Sequence, residues 1–233
     1  GVDEKSSIST SAKIGKNVYI GSNVVIEDDV IIKDNVSIYP GSYIGEKTTI
    51  QDCTFIYSNV TIYDNVEIGE NCRIDAGTVI GSEGFGINKS NNKNYNVPHI
   101  GKVIIGNNVS IGSNCCVDRG TINDTKIGDY SKLDNLIQVG HNVEIGENCI
   151  ISSQSGIAGS AKIGNNVTIA GQSGVIDHIS IGDNSVIAVK SCVFKSLKKN
   201  SFVSGVPAIN HKERLKQEVI IKKLPNIYKN LKK

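Results

Sequence analysis

Residues 13–50 read KIGKNVYIGSNVVIEDDVIIKDNVSIYPGSYIGEKTTI, and every sixth residue from Ile14 through Ile20, Ile26, Ile32, Ile38 and Ile44 to Ile50 is isoleucine. The same register runs on without a break through Ile56, Ile62, Ile68 and Ile74 to Ile80. It resumes at Ile105, Ile111 and Val117, and again from Ile127 through Leu133, Val139 and Ile145 to Val193. Four residues after each of these stands a small or β-branched residue, such as Val18, Val24, Ser42, Thr48 or Cys72. The next residue after the Ile is often Gly, as at Gly15, Gly21 and Gly45.

A period of six fits neither an α-helix nor a simple hairpin. It fits a short strand that turns a corner every six residues, with three strands closing a triangular coil of about eighteen residues. The large aliphatic side chain points inward and stacks on its equivalent one coil away, at about 4.8 Å. Gly, Asp or Asn at the corners is expected to supply the unusual backbone angles of a tight turn. Such a stack leaves its two ends open, and they need caps.

The composition agrees with a uniform aliphatic core: there is no Trp, only four Phe, and 24 Gly. Net charge is close to neutral at +2, but residues 208–233 carry eight Lys or Arg against two Glu. A basic tail suits an acidic partner, and equally a solvated helix face. The six Cys form no C-x-x-C pair, so no zinc site is expected, and buried free thiols in a reducing compartment are. No apolar run has membrane-spanning length and no signal peptide is visible, so a soluble cytoplasmic protein is expected, with neither a transmembrane segment nor nucleic acid as partner. There is no Met, even at position 1, so either an initiator was removed or the chain is truncated.

The register breaks twice, at 81–104 and 118–126. A solenoid tolerates insertions only as loops thrown outward from a corner, and such loops are where function tends to sit. The sequence thus predicts a β-helix over 1–207 carrying these two loops, followed by a helical extension over 208–233. Ile209, Leu215, Val219, Ile220 and Leu224 recur at helical spacing there, Pro225 is expected to interrupt the helix, and a second short helix is expected to follow to Leu231. The extension reads as a cap on the last coil, with a basic docking surface as a compatible second role.

Only four His are present: 99, 141, 178 and 211. His141 lies two residues after the inward Val139, near a corner and not in the core, which suits a general base. Gly159 is eighteen residues further on and should stack on His141 at about 4.8 Å. Its N–H is then a candidate oxyanion donor, although a corner Gly needs no other explanation than its backbone angles. His178 falls two coils plus one residue beyond His141, about 10 Å along the same side, suited to an anionic part of a substrate. Asp134 and Asn135 precede His141; Asp134 reads either as a corner residue or as a group that orients the base. The wide separation of the His residues argues against a metal site.

Four stretches carry a resemblance: GSEGFG (81–86), VDRG with TINDTKIG (117–128), LDNLIQVGHNVEIG (133–146) and SGIAGSAKIG (155–164). They resemble the UDP-3-O-(3-hydroxyacyl)glucosamine N-acyltransferases of lipid A biosynthesis, over nearly all of 8–207. The resemblance implies a left-handed parallel β-helix, a homotrimer with active sites between subunits, and transfer of an R-3-hydroxyacyl chain from acyl carrier protein to the 2-amino group of a UDP-3-O-acylglucosamine. No cofactor of the protein's own is implied, since the donor carries its 4'-phosphopantetheine on the carrier protein. His141 matches the base, Gly159 the oxyanion donor, His178 a group near the nucleotide-sugar phosphates, Asp134 and Asn135 neighbours of the base, and Phe85 a loop that contacts substrate or acyl chain. The basic tail would dock the acidic carrier protein. This chain departs from the family in Glu83, in His99, and in starting almost at the repeat, where the family has a uridine-binding domain of about a hundred residues. Two other readings stand beside this one: a sugar N-acetyltransferase using acetyl-CoA, and a non-catalytic β-helix scaffold.

Overall fold

The computed structural model describes residues 1–205 and 211–231, with the helix side chains described over 215–229. The chain is a parallel β-solenoid with three faces, formed by sheets of ten, nine and ten short strands. Most strands are two residues long, an outward residue followed by the column Ile. Ile8 pairs with Ile26, Ile26 with Ile44, and Ile44 with Ile62, so one coil is eighteen residues. The Ile column from Ile20 to Ile80 is buried throughout, each side chain contributing about 2–3 kcal/mol of burial. Small hydroxyls in the second inward position are buried too, and donate to backbone carbonyls of the next coil: Ser42 Oγ to the Tyr57 carbonyl and Thr48 Oγ1 to that of Tyr63. Those polar atoms therefore leave nothing unpaired inside the stack.

The corner chemistry agrees with expectation for Asn and Asp and differs for the Gly after the Ile. The left-handed residue is the third after the Ile and is mostly Asn or Asp: Asn17, Asn23, Asp29 and Asn35 have φ of 55 to 58°. Side chains of this kind tolerate that region best after Gly. The Gly directly after the Ile does not have positive φ, apart from Gly81 where the ladder leaves for the first insertion; it is small because the next coil lies against it. A Cβ on Gly15 would stand 2.6 Å from the Lys33 carbonyl carbon.

The insertions can be read from the register. Ile68 pairs with Ile105, 37 residues on, so the first adds 19 residues to a coil. Val117 pairs with Val139, 22 residues on, so the second adds 4. The ladder runs into Val79–Ser82 and restarts at Val103–Ile105, and runs into Cys116–Asp118 and restarts at Thr125–Ile127. Only 83–102 and 119–124 therefore leave it, two residues less at each end of the first break and less also at the second. The larger insertion carries an exposed antiparallel hairpin, Ile87–Ser90 with Lys93–Asn96.

One helix, His211–Leu231, ends the described chain. Pro225 lies inside it and does not divide it in two, contrary to expectation. Proline removes one hydrogen bond to the carbonyl four residues earlier; that carbonyl belongs to Ile221, which is exposed, and water can serve it. The described helix side chains, Leu215, Val219, Ile220 and Leu224 among them, are exposed and stand apart from the core cluster. Within the single chain they do not cover the last coil as a cap would; Ile209 lies outside the described residues. Cys72, Cys115 and Cys149 are buried free thiols, Cys53 and Cys116 are half-buried, and Cys192 is exposed.

Candidate active site

The strand Gln138–Val139 delivers Gly140 and His141 to a corner of the solenoid, and the strand Gly156–Ile157 above it delivers Ala158 and Gly159. The two corners are tied by the N–H of Ser160 donating to the His141 carbonyl at 2.8 Å. Gly159 lies against the His141 ring: a Cβ there would stand 2.6 Å from Nε2. Only Gly can hold this position with the imidazole in place. The Gly159 N–H donates to no other group among the described residues.

The opposite edge of the ring is fixed. Nδ1 lies 3.1 Å from Oδ1 of Asn142 and 3.3 Å from Oγ1 of Thr121. The Asn142 amide has one orientation, because its Nδ2 donates to the Asn123 carbonyl at 2.7 Å and its Oδ1 accepts the Thr121 N–H at 2.9 Å. An amide oxygen can only accept, so His141 carries its proton on Nδ1 and donates it to Asn142. The lone pair is left on Nε2, facing Gly159 and the cavity.

That cavity, about 530 Å³, is lined by Phe85, Asp118, Gln138, His141, Gly159 and His178 among others. The structure thus brings together four of the residues singled out in the sequence. His178 is reached through the Gly159 carbonyl, which accepts its N–H at 3.2 Å, and it holds a left-handed φ of 56°. Phe85 stands at the tip of the Gly84–Gly86 turn, 87% exposed.

Asp134 and Asn135 do not join them within the chain. Asp134 accepts the N–H groups of Asn135 and Ser153, and Asn135 Oδ1 accepts that of Ser113. These are turn contacts at another corner. Asn135 is six residues before His141, hence one face away around the triangle. Within the chain the groups that meet Nδ1 of His141 are Asn142 and Thr121.

Asp118 and His99 were not anticipated as site residues. Asp118 accepts from Ser82 Oγ at 3.1 Å and from Gln138 Nε2 at 2.9 Å. Burial pushes its carboxyl above the usual aspartate range, against those two hydrogen bonds and the nearby His141 and His99. His99 is buried with its ring centroid 5.1 Å from that of His141. Arg119 secures the next residue of the loop: its Nε donates to the Gly81 carbonyl at 2.7 Å and its Nη2 to Asp64 at 2.8 Å. Among the described residues no cluster of three His, Cys, Asp or Glu could hold a metal ion, and no helix is long and apolar enough to cross a membrane.

Three family descriptions match parts of the chain: bacterial transferase hexapeptide (six repeats) over 124–159, hexapeptide repeat of succinyl-transferase over 102–135 and 160–188, and the GMPPB C-terminal domain over 1–84. Among solved structures, an Arabidopsis UDP-N-acetylglucosamine acyltransferase aligns over 88% of this chain and 71% of its own, with TM-score 0.73 and 22% identity, a likeness of fold. A UDP-N-acetylglucosamine O-acyltransferase from Moraxella catarrhalis aligns over 97% of this chain and 82% of its own, with TM-score 0.69 and 26% identity. UDP-3-O-acylglucosamine N-acyltransferase from Fusobacterium nucleatum is 53% identical over 68% of this chain and 48% of its own length. UDP-3-O-acylglucosamine N-acyltransferase 1 from Gloeobacter violaceus is 45% identical over 68% of this chain and 45% of its own. The chain thus spans about half the length of these two curated relatives. UDP-3-O-acylglucosamine N-acyltransferase 1 from Francisella tularensis is 45% identical over 100% of this chain and 67% of its own length. With that match running from end to end, the chain belongs to the UDP-3-O-acylglucosamine N-acyltransferase family.

Proposed function

We propose that this chain is the β-helix of an N-acyltransferase that moves an R-3-hydroxyacyl chain from acyl carrier protein to the 2-amino group of a UDP-3-O-acylglucosamine, as a cytoplasmic homotrimer. The observation that carries the reading is the Nε2 lone pair of His141, held by Asn142 at the far edge of the ring and facing the cavity beside the Gly159 backbone.

In the proposed reaction the amine nitrogen attacks the thioester carbonyl while Nε2 of His141 takes its proton. The carbonyl oxygen becomes an oxyanion beside the Gly159 N–H, which has no competing acceptor within the described chain. Such a donor strengthens its bond as charge develops. Collapse of the tetrahedral intermediate breaks the carbon–sulfur bond, and the His141 imidazolium returns its proton to the departing pantetheine thiolate. The amide is formed and the base is regenerated with no other co-reactant. Asp118, in the same cavity, opposes the positive charge that His141 carries between these steps.

His178, which lines the cavity with Asp177, is assigned to the nucleotide-sugar phosphates, and Phe85 to the acyl chain. The Asp134–Asn135 corner is assigned to the cleft of a neighbouring copy in the trimer. Exposed Lys216, Lys222, Lys223 and Lys229 on the terminal helix suit the acidic carrier protein.

The test is acyl transfer by the full-length gene product with 3-hydroxyacyl carrier protein and with acetyl-CoA, beside His141→Ala. Loss of activity in a folded variant, with the carrier-protein donor preferred, is expected. A preference for acetyl-CoA, or an active His141→Ala protein, would overturn the assignment.

A further inference from the structure

His99 is 4% exposed, and both of its ring nitrogens lack a hydrogen-bond partner among the described residues. A polar ring sealed in this way calls for a reason other than stability. Its surroundings supply one. The backbone on one side of it is tied to the hairpin loop, the Val97 N–H donating to the Gly86 carbonyl at 2.9 Å. On the other side it is tied to the second loop, the Ile100 N–H donating to the Thr121 carbonyl at 2.9 Å. Thr121 is the residue whose hydroxyl meets Nδ1 of His141.

The ring itself fills the hollow of the Gly84–Gly86 turn. Cβ atoms built on Gly84 and Gly86 would stand 3.0 and 3.2 Å from its Nε2. Gly84 is wedged between the two imidazoles, since the same Cβ would meet His141 Cβ at 2.7 Å. The rings meet edge to face with an interplanar angle of 67°. The His99 ring thus lies against the base and the turn that carries Phe85, and the backbone beside it is bonded to Thr121.

We propose that His99 is a positioning residue for His141, setting the Gly84–Gly86 turn against the base and holding a ring nitrogen in reserve for a polar group of that turn in the loaded site. The inference rests on the catalytic reading of His141. Its polar nitrogen, and not only its volume, is what the site needs.

Three variants of the full-length protein separate these roles. His99→Ala removes ring and nitrogen, His99→Phe keeps the ring alone, and His99→Gln keeps a planar polar group. Misplacing a reacting group by a fraction of an ångström to 1 Å lowers turnover by roughly tenfold to a hundredfold, and kcat is expected to fall by that much in both the Ala and the Phe variants. KM for the UDP-sugar should move less than about twofold, the pattern of a lost transition-state interaction. His99→Phe should melt at a higher temperature than the parent, because the unpaired polar atoms are gone. His99→Gln should recover most of kcat. An increase in melting temperature together with a loss of kcat is not what a space-filling ring would give.

Parent-like kcat in His99→Phe or in His99→Ala would overturn the proposal, as would a rise in KM at unchanged kcat or a Gln variant as slow as Ala. An active His141→Ala protein would instead overturn the reading of the base on which it rests.

Discussion

Oδ1 of Asn142 accepts from Nδ1 of His141 at 3.1 Å, and this contact decides which nitrogen of the imidazole is free. Asn142 is in turn held by Asn123 and Thr121 of the short second insertion. The four residues added to that coil therefore serve the base directly.

Asn142→Ala removes the acceptor and lets the ring choose the other tautomer. Turnover should fall roughly tenfold to a hundredfold, in the range of a general base that is present but wrongly presented. Asn142→Asp offers an acceptor to Nδ1 but loses the donation to the Asn123 carbonyl, so its activity should lie between those of the parent and Ala. Steady-state kcat of the two variants decides it; equal rates would remove the orienting role.

Gly159→Ala tests the other side of the ring. The added Cβ would stand 2.6 Å from Nε2. The imidazole side chain can swing away, so the melting temperature should change little, by an amount equivalent to about 1 kcal/mol or less. Turnover should fall by roughly a hundredfold, because the base and the oxyanion donor can no longer share the site. A large loss of stability at unchanged kcat would show that the position is only structural.

How much of this was legible follows from the arithmetic of the coil. His141 and Gly159 differ by eighteen residues with no insertion between them, so their stacking could be read directly. Asp134 and Asn135 are near His141 in sequence, but a separation of six or seven carries the chain to the next corner. Asp118 was hidden because the insertion changes its spacing: Val117 meets Val139 across 22 residues, which brings the following residue, Asp118, to the corner of Gly140. His99 follows a hairpin that obeys no six-residue register, so nothing in the repeat could place it. The corner Gly after the Ile was given the same backbone role as the corner Asn for a related reason. Spacing shows which positions are restricted, whereas backbone angle and close approach are separate causes that only coordinates tell apart.

Asp118→Asn should separate stability from function. Burial raises the carboxyl of Asp118 in the folded protein, so the folded state holds its proton more tightly than the unfolded chain does. Stability therefore falls as pH rises from the ordinary aspartate value, about 3.9, through the raised one. Above that window the parent bears the full cost of a buried carboxylate, and the Asn variant does not. Its melting temperature should exceed the parent's at neutral pH, with the difference closing at acid pH, while kcat falls as the His141 imidazolium loses its counter-charge. Melting curves from pH 4 to 8 check the first part; a difference independent of pH would rule out a titrating Asp118 as its source.

Arg119 is the anchor from which the second insertion departs. Its Nε satisfies the Gly81 carbonyl, and its Nη2 donates to both the side chain and the carbonyl of Asp64. Arg119 is mostly buried and Asp64 is 44% exposed at its side chain, so water screens part of the ion pair. The loss in Arg119→Ala should therefore come chiefly from the unsatisfied carbonyls, about 2 kcal/mol. The guanidinium also holds the Asp64 carboxyl below its usual range. A lowered carboxylate contributes stability above its unfolded value, lost as pH falls through the lowered one. Arg119→Ala should remove that acid-side loss, so that the gap between parent and variant narrows at low pH while the part that comes from the carbonyls persists. Chemical denaturation at pH 7 and pH 3 measures both effects, and a constant gap between the two proteins would mean that the ion pair contributes nothing.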